Sequence, residues 1–161
     1  MLRRGVRLAI GTDGSSANDN LVLHETMRTV AMAHRTREPD RSRWITTGDV
    51  LHMATAGGAG ALRNDKLGRV APGFAADLAV YGLDAPWWVP VNDVVNQMVF
   101  AETGASVETV MVDGRVVMQE RKILTFDVDG LLREVRAMTK SLRKRNDDLF
   151  RVAHELTELV P

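Results

Sequence analysis

Apolar positions along this chain change rhythm several times, and each change predicts a different element. Val6 to Ile10 is a short, mostly apolar run that stops at Gly11. It reads as a buried strand of the parallel type, because a strand covered on both faces shows no alternation. The next stretch, TDGSSANDN, is dense in Gly, Ser, Asn and Asp, so it predicts a loop leading into a helix near Asn20. Leu23, Met27, Val30 and Ala31 then recur at helical spacing, until Pro39 within EPDRSRW ends the helix. Thr46 and Asp49 have the spacing of a capping box, opening a second helix with Val50, Leu51, Ala54 and Leu62 as its apolar face.

Beyond Lys66 helix gives way to sheet. LGRVAPGFAADLAVYGL carries a turn signal at Pro72-Gly73 and ends on the strand-like LAVY. SVETVMVDGRVVM is two apolar runs joined by Asp113-Gly114, the strongest short hairpin signal a sequence offers. After Asp127 the helical pattern returns in Leu131, Val135, Met138, Leu142, Leu149, Val152, Leu156 and Leu159, predicting one long helix or a helix pair. The composition shifts near Asp65, and the chain divides into residues 1–64, 65–126 and 127–161.

Composition narrows the class without naming a chemistry. With 161 residues, 45% of them hydrophobic, there is material for one ordinary core. The 21 basic and 21 acidic side chains cancel, so no global charge draws the chain to nucleic acid or to an anionic membrane. Zero cysteines exclude disulfides and thiolate metal sites, leaving His, Asp and Glu as strong ligands. The basic-then-apolar start MLRRGVRLAI stops at Gly11, too short for a signal-peptide core or a membrane span. A cytoplasmic protein, with no nucleic-acid or membrane partner, is the expectation.

Asp13 is the residue to weigh for chemistry. It follows an apolar strand directly and sits in a loop of small polar residues before a helix, where α/β barrels place catalytic side chains. The same residues also read as a plain Asp-Gly turn, and the local pattern leaves both open.

VRLAIGTDGSSANDN followed by a helix containing HETMR resembles the last barrel strand and following helix of the amidohydrolase superfamily. The nearest likeness is to the branch that deaminates or dechlorinates nitrogen heterocycles, which includes guanine, cytosine and S-adenosylhomocysteine deaminases and triazine hydrolases. TTGDVLHMATAGGAGALRNDKLGRVAPGFAADLAVY resembles the family's post-barrel helix and the return strand of its small β-sandwich, and VETVMVDGRVVMQERKIL and TFDVDGLLREVRAM its final hairpin and closing helix. The resemblance implies an α/β chain: the C-terminal piece of a (β/α)8 barrel, its last strand and following helices, plus part of a β-sandwich and a C-terminal helix. For Asp13 it implies a carboxylate on one zinc or iron ion, which also takes a proton from the metal-bound water; it implies no organic cofactor, and a small heterocyclic substrate.

The chain departs from that family in two ways. Such a barrel usually needs about 250 residues, and the family's HxH pair, further strand histidines and acid-base Glu have no counterpart, since His24, His34, His52 and His154 lie outside that pattern. A lone carboxylate does not hold a catalytic zinc, which takes about three protein ligands and a water. The chain alone is therefore expected to be inactive, as the product of a truncated or split gene or with a second polypeptide supplying the missing strands. Homo-oligomerisation, or a purely non-catalytic assembly module, are further expectations.

The remaining features have modest readings. Ser16 and Asn18 are substrate-contact candidates by position, although Ser15, Ser16, Asn18 and Asp19 all suit helix capping. His24 and Glu25 lie off the apolar face, either exposed or in a contact peculiar to the family, whereas His34 shares the face of Leu23 and Met27 and reads as packed. Gly57, Gly58 and Gly60 lack a dinucleotide fingerprint and suit close packing at a helix end. Trp87-Trp88 covers apolar surface or joins an interface. The basic cluster from Arg133 to Arg145 is interleaved with acids, and the leucines from Val135 onward suit packing against a barrel or a subunit.

Overall fold

The computed structural model describes residues 1–158, in two compact units, the first Met1–Lys122 and the second from Ile123 onward. Within the first unit the predicted helices form where the apolar spacing put them. After a single turn α1 (Ser15–Asn18), α2 runs over Leu23–Ala33 and buries Met27 and Ala31. A 3-10 turn, His34–Thr36, ends it before Pro39. Helix α3 (Thr47–His52) starts on the predicted capping box: Thr46 Oγ1 accepts from Asp49 N at 3.1 Å, and Asp49 Oδ2 accepts from Thr46 N at 3.0 Å.

Helix α3 continues through a π-helical stretch, Met53–Gly57, into α4 (Gly58–Ala61). Gly57 therefore lies inside a continuous helix, and its use is close approach, since a Cβ there would collide with the Leu8 carbonyl oxygen. The close packing expected of the glycine cluster at a helix end is thus found in mid-helix at Gly57, whereas Gly60, near the end, has open space. Leu62, expected on the apolar face, is exposed, because α4 ends at Ala61 and Leu62 falls past its last turn.

A helix that the apolar rhythm had not announced, α5 (Val94–Phe100), completes the core. Asp93 caps it by accepting from Asn96 N at 2.9 Å. Met27, Ala31, Val50 and Val99 from α2, α3 and α5 form the buried cluster, with Ile10, Val30, Ile45, Leu51 and Phe100 packed against it. Arg35 lies over the rings of Trp44 and Phe100, 4.7 and 5.3 Å from their centroids, and braces the chain leaving α2 against α5.

The strand expected at Val6–Ile10 is extended chain without a ladder. A strand exists through its neighbours' hydrogen bonds, and the one backbone bond here is Ile10 N to Met53 O at 3.4 Å. The sheet lies later in the chain, antiparallel in the order β1 (Leu78–Tyr81), β2 (Val107–Val112), β3 (Arg115–Gln119) and the two-residue β4 (Lys122–Ile123). β1 and β2 are the LAVY and VETVMV runs, in a register that places Leu78 opposite Met111. Asp113 and Gly114 turn between β2 and β3 with φ of 49° and 75°, the pair of positive values that an Asp-Gly hairpin turn requires. Asp77 receives the Asp113 amide at 2.7 Å and so ties the turn to the start of β1.

In the second unit the helical pattern resolves into a pair, α6 (Val128–Arg145) and α7 (Asp147–Glu158), separated at Asn146. Leu131, Val135, Met138, Leu142, Leu149 and Val152 are all exposed. The Leu156 side chain and Leu159 lie outside the described residues.

Candidate functional site

Asp13 stands at the end of the extended segment and before α1, with its carboxylate exposed. Its φ of 62° is left-handed, an uncommon setting for a side chain with a Cβ. Two short contacts close the turn: Asp13 Oδ1 accepts from Gly14 N at 2.7 Å, and Thr12 Oγ1 donates to Asp13 O at 3.1 Å. The Asp-Gly turn is therefore real, and it engages one carboxylate oxygen, Oδ1.

Ser16 and Asn18 lie on α1, both exposed. The capping role that suited them is not the one they take. Gly14 and Val22 occupy the N-cap positions of α1 and α2, neither with a side-chain cap. Asn18 instead sends its amide to Thr12 O at 2.9 Å and Asn20 O at 3.4 Å, which folds the loop back on Asp13. Asn20 then caps the following turn, accepting from Val22 N at 2.9 Å and donating to Glu25 Oε2 at 2.8 Å.

The histidines are dispersed. His34 is the packed helix histidine the spacing suggested: Nδ1 meets Val30 O at 3.3 Å and Nε2 accepts from Ile45 N at 3.0 Å. His24 is half-buried, with Nε2 3.0 Å from Tyr81 Oη and its ring edge-on to the tyrosine. Burial lowers the His24 pKa, partly offset by the charge of Glu102, and burial followed by that same charge raises the Tyr81 phenol. Both groups are held neutral near pH 7.

Glu102 is the group that the sequence pattern did not single out. It is 4% exposed and carries a crowd of donors. Thr103 N, Gly104 N and Ser106 N donate to Oε1 at 3.0, 2.7 and 3.1 Å, and the Trp87 and Trp88 indoles donate to Oε2 at 2.9 and 2.8 Å. Burial alone raises the pKa of this carboxyl, but the bonds from Ser106 N, Trp87, Ser106 Oγ and Trp88 outweigh it and hold it at about 2. The tryptophan pair thus joins a buried polar junction, with Trp88 fully covered. The signal available in the sequence was a Glu followed by the small residues of TGAS, which expose their amides to it.

Among the described residues no three His, Asp or Glu side chains stand together as a metal site. Asp13, as a single carboxylate with one oxygen already bound to Gly14 N, does not by itself fit a zinc or iron ion. Beside the extended segment lies an open, mainly apolar groove of about 540 Å³, lined by Ala9, Ile10, Ala54, Ala61 and Leu62 among others. No helix among the described residues is long and apolar enough to cross a membrane.

Relatives share this arrangement over most of the chain. The 5-methylthioadenosine/S-adenosylhomocysteine deaminase of Desulforudis audaxviator is 38% identical over 143 residues, and that of Syntrophobacter fumaroxidans 37% over 144, covering 88% and 89% of this chain. A zinc-bound adenosine deaminase from Xanthomonas campestris superposes with a TM-score of 0.83 at 30% identity, over 89% of this chain and 33% of its own. A zinc-complexed atrazine chlorohydrolase from Arthrobacter aurescens does so with 0.79 at 30%, over 84% of this chain and 30% of its own. The chain spans about a third of the length of the curated relatives it matches, 33% for both deaminases. With a model of the Amidohydrolase family matching residues 1–117, the chain belongs to the amidohydrolase family.

Proposed function

We propose that this chain is the C-terminal portion of a metal-dependent hydrolase of carbon–nitrogen bonds other than peptide bonds, an aminohydrolase acting on a nitrogen heterocycle. The observation that carries the reading is Asp13: an exposed carboxylate, at the end of an extended segment and ahead of a helix, within a region matched by the amidohydrolase family. Relatives named as deaminases of adenosine derivatives supply the substrate class, and zinc-bound structural neighbours supply the metal, zinc or in its place iron. Asp13 contributes one carboxylate ligand, the remaining ligands belonging to polypeptide outside this chain, and no organic cofactor takes part. Ser16, whose side chain is exposed on α1, is the better of the two substrate-contact candidates, because the Asn18 amide is already committed to Thr12 and Asn20.

In the same reading residues 1–64 are the last barrel strand and its helices, 65–126 part of a composite β-sandwich, and 127–161 the C-terminal helical segment. Missing strands come from a second polypeptide or from further sequence of the same one, and the assembly is a cytoplasmic homo-oligomer. The extended chain of residues 6–12 supports this, since it forms no ladder and its one backbone–backbone bond is Ile10 N to Met53 O, leaving edges that invite neighbouring strands. A second reading, a non-catalytic assembly module, draws on the exposed apolar positions of α6 and α7.

The test is reconstitution with a polypeptide carrying the remaining barrel strands, followed by assay of bound metal and of ammonia release from adenosine derivatives. The expected result is activity that Asp13→Asn lowers by about a hundredfold or more, with the circular dichroism spectrum unchanged. Near-normal turnover in that variant overturns the role of Asp13. Stoichiometric zinc on the isolated chain overturns the claim that its site is incomplete.

A further inference from the structure

The backbone of Asp13 sits in a conformation that its own sequence does not enforce. A left-handed φ of 62° is uncommon for a non-glycine residue, Asp being among those that adopt it, and it is kept by the contacts around it. Neither helix flanking the loop has a side-chain cap at its N-cap residue, so the loop is held by the short-range bonds of Thr12, Asp13, Asn18 and Asn20 and by whatever anchors them. Among the described residues, one hydrogen bond from residues 12–25 reaches a distant segment, and it joins His24 Nε2 to Tyr81 Oη at 3.0 Å.

We infer that His24 and Tyr81 are positioning residues for the Asp13 loop: their bond pins the first turn of α2 to β1, and the Asn20 and Asn18 side chains carry that constraint back to Thr12 and Asp13. The inference rests on the reading of Asp13 as the functional carboxylate. Each link is a hydrogen bond, the longest being Asn18 Nδ2 to Asn20 O at 3.4 Å. Val22 N donates to Asn20 Oδ1 at 2.9 Å, and Asn20 Nδ2 donates to Glu25 Oε2 at 2.8 Å, beside His24 in α2. Asn18 Nδ2 bridges Asn20 O and Thr12 O, and Thr12 and Gly14 hold Asp13 on either side.

The far end of this relay is tied into the sheet, at a register irregularity between Val80 and Tyr81. Tyr81 belongs to β1, paired with Val107 of β2. The other face of the histidine meets Gly104, where a Cβ would stand 3.5 Å from Nδ1, and Gly104 is itself fixed by its 2.7 Å bond to Glu102. His24 is therefore clasped between a strand and a buried carboxylate turn. Plain space filling needs only an apolar ring at each position, whereas a directed hydrogen bond across 57 residues of sequence sets where α2 begins.

The experiment uses this chain alone, by NMR, with Tyr81→Phe, which keeps the ring and removes the hydroxyl. The Gly14 amide proton shift reads the Gly14–Asp13 contact directly and is expected to move toward the value of an unbonded amide. Exchange of the Ala17, Asn18 and Val22 amides is expected to quicken about fivefold, the factor for one net hydrogen bond, while Val110 and Met118 amides in the sheet keep their native rates. His24→Leu should reproduce the change and His24→Gln, which retains a polar reach to Tyr81, should restore most of it. An unmoved Gly14 shift, or exchange that quickens equally in loop and sheet, overturns the inference. Neither readout depends on metal or turnover, so near-normal activity of Asp13→Asn in the reconstituted enzyme would remove the reading of Asp13 while leaving the relay standing.

Discussion

Replacing Glu102 by Gln removes one charge from a buried site and turns an acceptor into a donor. The wild-type carboxylate accepts three backbone N–H groups on Oε1 and two indoles on Oε2. A glutamine keeps the first set only by aiming its NH2 at the tryptophans, so two donors then face a donor. The carboxyl is held at about 2 against an ordinary 4.5. At about 1.4 kcal/mol per pH unit, that difference is on the order of 3 kcal/mol of stability at neutral pH. The sign follows from a depressed folded-state pKa: the contribution is complete above about 4.5 and lost as the pH falls toward about 2, with roughly half gone near pH 3. Urea unfolding followed by tryptophan fluorescence, on wild type and Glu102→Gln between pH 7 and pH 3, measures the difference directly. A gap that stays constant across that range, or its absence at pH 7, refutes the account of Glu102 as a fixed carboxylate.

Two further substitutions test the helix that packs beneath the Asp13 segment. Thr46→Ala breaks the capping box and should cost about 1 kcal/mol in the same unfolding assay; the penalty should shrink in acid, since the Asp49 carboxyl, kept below its usual range by the Thr46 side-chain and then backbone bonds, loses them on protonation. Gly57→Ala drives a Cβ into the Leu8 carbonyl and should lower stability by about 1–3 kcal/mol, with faster exchange of the Ile10 amide that bonds Met53 O. Gly60→Ala, where nothing lies within 4 Å, is its control and should gain up to about 1 kcal/mol from helix propensity.

What the sequence made legible follows a physical rule: features set by neighbours in the chain could be read, and those set by distant partners could not. The capping box at Thr46 and Asp49, the Asp113-Gly114 hairpin and the apolar stripe of α2 are local, and each formed as expected. Val6–Ile10 has the composition of a buried strand but no ladder, because pairing partners are a tertiary fact. Asn18 looked like a cap and became a brace, since its amide found Thr12 six residues back. Glu102 was legible only in part: the small residues of TGAS that offer it their amides are local, whereas its indole partners lie 14 and 15 residues away. Asp13 is singled out by its position and by resemblance, while its own surroundings show only a turn.

The pattern of burial links these observations. Seven hydrophobic residues are buried among the described residues, against 26 large ones that are exposed. Single exposed apolar side chains are ordinary, but here they recur on particular elements: Val80, Val112 and Val116 on the sheet, and Leu131, Val135, Met138 and Leu142 along one stripe of α6. The same elements carry good local signals of caps, turns and periodicity. On the proposed reading, such local order without a matching core reflects elements whose own signals are consistent while the surfaces that cover them belong to the rest of a longer fold. The extended residues 6–12, without a strand ladder and beside an apolar groove, are the sharpest instance. Asp13 ends that segment, so on the proposed reading the ligands that would complete a metal site are to be sought next to residues 6–12.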